Sequence, residues 1–332
     1  MNQYLIRPNK NIFTTFIGLT ISGYDLAKGN CEEEILNLIS RIEYDEDIIT
    51  YFKQAKTSTC KVNPYWPRAF LLSLSCLFMT EESPHVYIDF QKLLNHIEGL
   101  DQVNPKEKNN ELINWLEKLP SMIDRLQDNV MVHHIWIKYI SLVEKNMDDY
   151  RFLCSQSLSL IKNVFEILED NLPKLIIIPN YLQAVESTDL VAIGDEIYII
   201  TANPDKESIV HELLHHVLDK ELKNCEDLIK ENKALLEPVL DDMIQYQYAW
   251  AYDKRSWLRV FEENFVSAAS IWVTFHDNRA KAETYAKLDE SYGFIYVPVI
   301  LEEFFSNWNG LSNFREFIKS CLRTCIIRKN VN

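Results

Sequence analysis

His211, Glu212 and His215 are the residues of this chain best equipped for chemistry, set in the string His211-Glu212-Leu213-Leu214-His215. On a helix, positions i and i+4 lie one turn apart on one face, so two imidazoles there can reach a single metal ion. A carboxylate directly after the first imidazole stands where it can take a proton from a water beside that ion, which is the chemistry of hydrolysis. Five residues recur by chance, so the surroundings must decide. Asn203-Pro204 predicts the start of a helix, an N-cap followed by proline at the first helical position, and neither glycine nor proline interrupts the run to Leu222. At about 100° per residue, Val210, Leu213, Leu214 and Val217 gather into a core stripe, while His211 and His215 point to the other side with Ser208 and Leu222. His216 points in a third direction and reads as structural.

Two histidines hold zinc weakly, and a catalytic site needs a third protein ligand and an open position for water. Asp219 shares the histidine face, but eight residues along a helix is about 12 Å, too far from His211 for one ion to touch both. The better source is Trp257–Val273. Its apolar stripe runs through Leu258, Phe261, Phe265, Ala268, Ala269 and Trp272, opposite Ser256, Glu263, Ser267, Ser270 and Thr274. A solvated face carries Lys and Glu; a small polar face with one carboxylate suits a helix lining a cleft. Glu262 lies about 100° from Glu263, so only one of the two can face the ion. Glu263 is preferred and Glu262 is the alternative.

Here the chain resembles the gluzincin branch of zinc metallopeptidases. His211-Glu212-Leu213-Leu214-His215 on a helix, strands before it, and Glu263-Asn264-Phe265-Val266 on a second helix are similar to that group's two motifs. The resemblance covers roughly Leu190 to Trp272. It implies a zincin-like fold, one zinc ion per chain held by His211, His215 and Glu263, and Glu212 as general base in the hydrolysis of a peptide or protein substrate. Two departures stand out: Glu263 follows His215 by 48 positions (263 − 215), longer than in the prototypes, and Glu262 occupies the place usually held by Asn. The metzincin continuation is excluded, because Leu218 and Glu221 stand where it requires Gly and His. A further electrophile usually assists such a reaction, and His276, Tyr292 and Tyr296 are the downstream candidates. The strand Glu196–Ile200 could take an extended peptide at a sheet edge, as zincins do. The rival reading is a catalytically silent metal-binding zincin that acts as an interaction or regulatory module. Glu212 argues for the enzyme, since a purely structural site needs no base and would close its fourth position with Cys or His.

The composition sets the wider class. Across 332 residues, 47% are hydrophobic, enough for a substantial core, and a net charge of −15 with no dense Lys/Arg cluster argues against nucleic acid or an anionic membrane as partner. Cys31, Cys60, Cys76, Cys154, Cys225, Cys321 and Cys325 are scattered, odd in number and free of CxxC spacing, which reads as reduced thiols in a cytoplasmic chain. The apolar run Ile12–Ile21 after Arg7 and Lys10 has the proportions of a secretion signal. Its three threonines, and the lack of a small-residue cleavage site after it, favour a buried helix or strand over an atypical signal. Nothing else approaches the ~20 apolar residues of a membrane span.

These elements fall into an α+β, predominantly helical order. Periodicity predicts helices through residues 1–172, among them Tyr87–Ile97, Glu111–Leu126 and Val130–Leu168, punctuated by Pro105 and Pro120. The histidines of this half, His85, His96, His133 and His134, have no ligand-gathering spacing. Residues 173–332 read as a zincin-like metallopeptidase domain. Leu175–Ile178, Asp189–Ile193 and Glu196–Thr201 predict a small antiparallel sheet, with Gly194-Asp195 turning a hairpin. The metal helix follows, then a helical lobe from Asp227–Leu240 to Phe314–Cys325.

Overall fold

The computed structural model describes residues 4–27, 29–56, 66, 68–99, 109–166, 172–184, 188–202, 205–245 and 256–331. Cys60, Pro105, Leu168, Asn203, Pro204 and the side chain of Ser256 lie outside the described residues. In chain order the first half holds β1 (Tyr4–Ile6), α1 (Lys10–Ile21), α2 (Glu33–Ile39), α3 (Glu46–Lys53) and α4 (Arg68–Cys76). It continues with α5 (Phe90–Gly99), α6 (Asn110–Glu117), α7 (Leu119–Gln127), α8 (Val130–Lys145) and α9 (Met147–Phe165). The strands β2 (Lys174–Pro179), β3 (Thr188–Ile193) and β4 (Glu196–Thr201) come next. The last part comprises α10 (Lys206–Lys223), α11 (Glu226–Glu231), α12 (Lys233–Gln245), α13 (Ser256–Phe275), α14 (Arg279–Ser291), α15 (Val297–Asn307) and α16 (Phe314–Val331).

The chain divides into two compact units, Met1–Arg151 with Pro173–Pro204, and Phe152–Leu172 with Asp205–Asn332. The strands therefore group with the N-terminal helices, and each unit is discontinuous in sequence. Three of the long predicted helices are each broken in two. The breaks fall at Lys118, where Pro120 opens α7, at Asn146 between α8 and α9, and at Asn232 between α11 and α12.

In the first unit, the run after Lys10 is a helix rather than a strand. Asn9 caps it by accepting from the Ile12 amide, and every residue from Asn11 to Leu19 is buried. Gly18 is required there, because a Cβ in its place would lie 2.3 Å from the ring of Phe52 on α3. Tyr51 and Trp115 exchange hydrogen bonds with each other's carbonyl oxygens, tying α3 to α6. The sheet is mixed, not antiparallel. Its order is β1-β2-β4-β3, with β1 and β4 both parallel to β2 and only β3 antiparallel to β4. Gly194 makes the β3–β4 turn at φ +62°, a conformation that favours glycine. Both edges of β4 are consequently paired, so Glu196–Ile200 has no free row of amides and carbonyls with which to bind a peptide.

The second unit is built around α13, which packs against α10, α12, α14 and α15. Its residues are buried almost all round, Val260, Phe261, Phe265, Val266 and Ala269 on its apolar sides and Asn264, Ser267, Ser270 and Thr274 on its small polar one. Such a helix is a core helix. Phe265 stacks among Phe261, Phe304, Phe314 and Phe317, linking α13 to α15 and α16. Burying each such ring contributes about 1.5–3 kcal/mol, which fixes the rotation of α13 and with it the direction of its polar face. No helix among the described residues is long and apolar enough to cross a membrane.

Candidate metal centre

The helix α10 starts slightly later than Asn203-Pro204 would set it. Asp205 is the N-cap, its carboxylate accepting from the Ser208 amide at 2.9 Å, with Glu207 in the first turn and Lys220 and Lys223 in the last, charges that suit the helix dipole. Val210, Leu213, Leu214 and Leu218 are buried, Val217 is half-buried, and His216 is exposed. Burial of that stripe turns His211 and His215 together toward α13.

Three atoms meet between the two helices. Nε2 of His211 and Nε2 of His215 are 3.1 Å apart, and Oε2 of Glu263 lies 3.5 Å from the latter and 3.8 Å from the former. Adjacent ligands of a tetrahedral ion with bonds of about 2.1 Å are about 3.4 Å apart. The observed triangle is one face of such a tetrahedron, two imidazole nitrogens and one carboxylate oxygen, and His211, His215 and Glu263 could hold a metal ion. Its donor set of nitrogen and oxygen suits zinc and its neighbours among the first-row metals.

Glu262 has a different place. Its Oε1 is 3.3 Å from Nδ1 of His215, the ring nitrogen that faces away from the triangle. A carboxylate on the far nitrogen of a ligand histidine fixes the ring's orientation and raises its basicity. Glu263 therefore points at the two histidine Nε2 atoms, and Glu262 meets the far side of the His215 ring.

The electrostatics follow from half-burial of four ionisable groups. Burial, then the neighbouring His215, holds His211 well below the usual imidazole range. Burial opposes charge on His215 as well, but the carboxylates of Glu263 and Glu262 outweigh it and raise that ring. Both glutamates are held below the usual carboxylate range: burial works against ionisation, and His215 and Arg259 overcome it. The two rings are thus pushed in opposite directions, His211 toward the neutral form and His215 toward the cation, consistent with two Nε2 atoms at hydrogen-bond distance. Glu212, beside His211 on α10, is half-buried, and its charge is felt by Glu207 one turn earlier.

Two of the three candidate electrophiles, Tyr296 and His276, are held away from the triangle by their own contacts. Tyr296 is buried, and its hydroxyl donates to the Leu235 carbonyl at 3.1 Å while its amide donates to Asn264 Oδ1 at 3.0 Å. This is a packing role. His276 is exposed just beyond α13, about 20 Å along the helix direction from Glu263, with Nδ1 at 3.3 Å from the Val273 carbonyl. Tyr292 is the C-cap of α14 and 49% exposed. The residue that sequence reasoning missed is Arg259, whose Nη1 lies 2.6 Å from Glu262 Oε1 and whose Nε lies 3.0 Å from Glu263 Oε1. Its spacing of three and four residues to the two glutamates was the available signal.

No protein-family model, curated protein or solved structure matches this chain.

Proposed function

We propose that this chain is a zinc-dependent metallopeptidase that hydrolyses peptide bonds of a peptide or protein substrate. The triangle formed by His211 Nε2, His215 Nε2 and Glu263 Oε2 carries the reading. Three protein ligands rather than four is the donor count of a catalytic zinc site, and no cysteine joins the cluster among the described residues. A zinc ion held by these residues would supply Lewis acidity, making a water acidic near neutral pH and polarising a carbonyl oxygen. Glu212 takes the proton of the attacking water as the new C–O bond forms, and delivers it to the amine nitrogen as the C–N bond breaks. Glu262 keeps the His215 ring in its ligating orientation throughout.

The test is metal content beside turnover. Purified chain is expected to carry about one zinc, with His215→Ala losing it and Glu212→Gln keeping it. Peptide hydrolysis should fall by 10²-fold or more in Glu212→Gln, in line with loss of a general base. Wild-type protein free of metal, purified without chelator, would remove the site. Zinc uptake with no hydrolysis of any peptide, and no difference for Glu212→Gln, would instead favour the silent metal-binding reading.

A further inference from the structure

Glu262 and Glu263 place two carboxylates side by side at the edge of the proposed metal site, and both meet one guanidinium. Arg259 stands one turn earlier on α13, with Nη1 hydrogen-bonded to Glu262 Oε1 at 2.6 Å and Nε in ion-pair contact with Glu263 Oε1 at 3.0 Å, without the alignment of a hydrogen bond. The oxygen of Glu263 left facing the histidines is Oε2, at 3.5 and 3.8 Å from their Nε2 atoms. The two oxygens of this carboxylate thus have separate duties. Were Glu263 free to swing about its terminal bond, both oxygens could close on a cation and occupy the position that a water needs. Resting on the metal-site reading above, we infer that Arg259 is the positioning residue of this centre: it holds Glu263 to one ligating oxygen and, through Glu262, steadies the His215 ring.

Two effects of Arg259 oppose each other, and their signs separate the inference from bulk electrostatics. A guanidinium near a dication site repels it, so on charge alone its removal tightens metal binding. A clamp works the other way, since losing the contacts that orient ligands weakens metal binding about 10–100-fold. Lysine keeps the charge but offers a compact ammonium on a flexible stem instead of a planar fork, so it does not fix the two carboxylates in one relative geometry.

The experiment uses the full chain as wild type, Arg259→Gln and Arg259→Lys, stripped of metal and checked for folding by far-UV circular dichroism. Each is titrated with Zn²⁺ against a competing chelator, then loaded with Co²⁺, whose visible band intensity reports coordination number. Arg259→Gln is expected to bind zinc about 10–100-fold more weakly than wild type, with Arg259→Lys between them. The cobalt band should weaken in both variants as a second oxygen of Glu263 enters the shell. Equal or tighter zinc binding by Arg259→Gln, with the wild-type cobalt spectrum, overturns the clamp and leaves the metal site standing. Wild-type protein that takes up neither ion overturns both. Should the glutamine variant fail to fold, Arg259→Lys decides on the same readouts, weaker binding with a changed spectrum supporting the clamp and wild-type values overturning it.

Discussion

Ser270 Oγ lies 2.5 Å from Glu207 Oε1 and 2.9 Å from the carbonyl oxygen of Ser267. One hydroxyl proton shared between two acceptors serves each poorly. With Glu207 protonated, its own O–H can donate to Ser270 while Ser270 donates to Ser267, and both contacts are satisfied. Burial pushes the Glu207 carboxyl up to about 8; the bond to Ser270 opposes this, and the charges of Asp205, Asp289 and Glu212 add to it. Glu207 is therefore a neutral acid at pH 7, one turn before His211 on the same face of α10.

A pH signature follows. In the unfolded chain this carboxyl ionises above its ordinary 4.5, whereas the folded chain keeps the proton until about 8. The native state binds more protons across that window, so this group's contribution is fully present below pH 4.5 and is lost as pH rises to 8. Glu207→Gln keeps an uncharged donor and has no such loss. Its stability relative to metal-free wild type, measured by urea unfolding, should rise by on the order of 1–3 kcal/mol between pH 5 and pH 8.5. Parallel pH profiles for the two proteins would sink the assignment of a neutral Glu207.

The contact of α1 with α3 gives a second expectation. Alanine normally stabilises a helix by about 1 kcal/mol over glycine, but at Gly18 the new methyl would stand 2.3 Å from the fully buried Phe52 ring. Overpacking of that kind costs about 1–3 kcal/mol, so the clash outweighs propensity and Gly18→Ala should lower the urea midpoint. Adding Phe52→Leu should return part of the loss. A more stable Gly18→Ala protein would contradict the packing.

What could be read from the sequence follows the range of the interactions involved. The helix α10 with its histidine face and the helix α13 with Glu263 are set by periodicity within a dozen residues, and the structure brings those side chains together, but the small polar face of α13, expected to line a cleft, is buried in a core. Sheet topology is long-range: β1 has three residues, too few to show alternation, and the pairing of β2 with β4 skips β3, a choice that local pattern does not encode. The start of α10 lay between two capping residues, Asn203 and Asp205, each with the side chain for the task. Arg259 is invisible until Glu262 and Glu263 are known to be half-buried together, because Arg–Glu spacings are common on solvated helices.

Tyr296 shows the same limit from the other side, and it can be tested. Its position in the chain suggested a phenol over the site, yet its hydroxyl donates to the Leu235 carbonyl and its amide to Asn264. Tyr296→Phe removes a buried donor and leaves the Leu235 carbonyl short of one partner, at a cost of about 1–2 kcal/mol. Thermal unfolding should therefore report a less stable protein, while kcat/KM for any peptide it cleaves stays within about twofold of wild type. A loss of 10²-fold in kcat in a folded Tyr296→Phe protein would restore it to the reaction as an oxyanion donor.

Glu262 and Glu263 adjoin in sequence but meet different atoms of His215, and alanine at each should separate their roles. On the proposed zinc site, Glu263→Ala deletes one of the three candidate ligand atoms and leaves two histidines, which would hold zinc weakly. Glu262→Ala leaves all three ligands in place and removes the partner of His215 Nδ1, so the loss should be that of an orienting group, about 10–100-fold. Competition against a chelator should rank zinc affinity as wild type, then Glu262→Ala, then Glu263→Ala. The reverse order of the two variants would mean that Glu262 is the ligand and that the carboxylates exchange places when the ion binds.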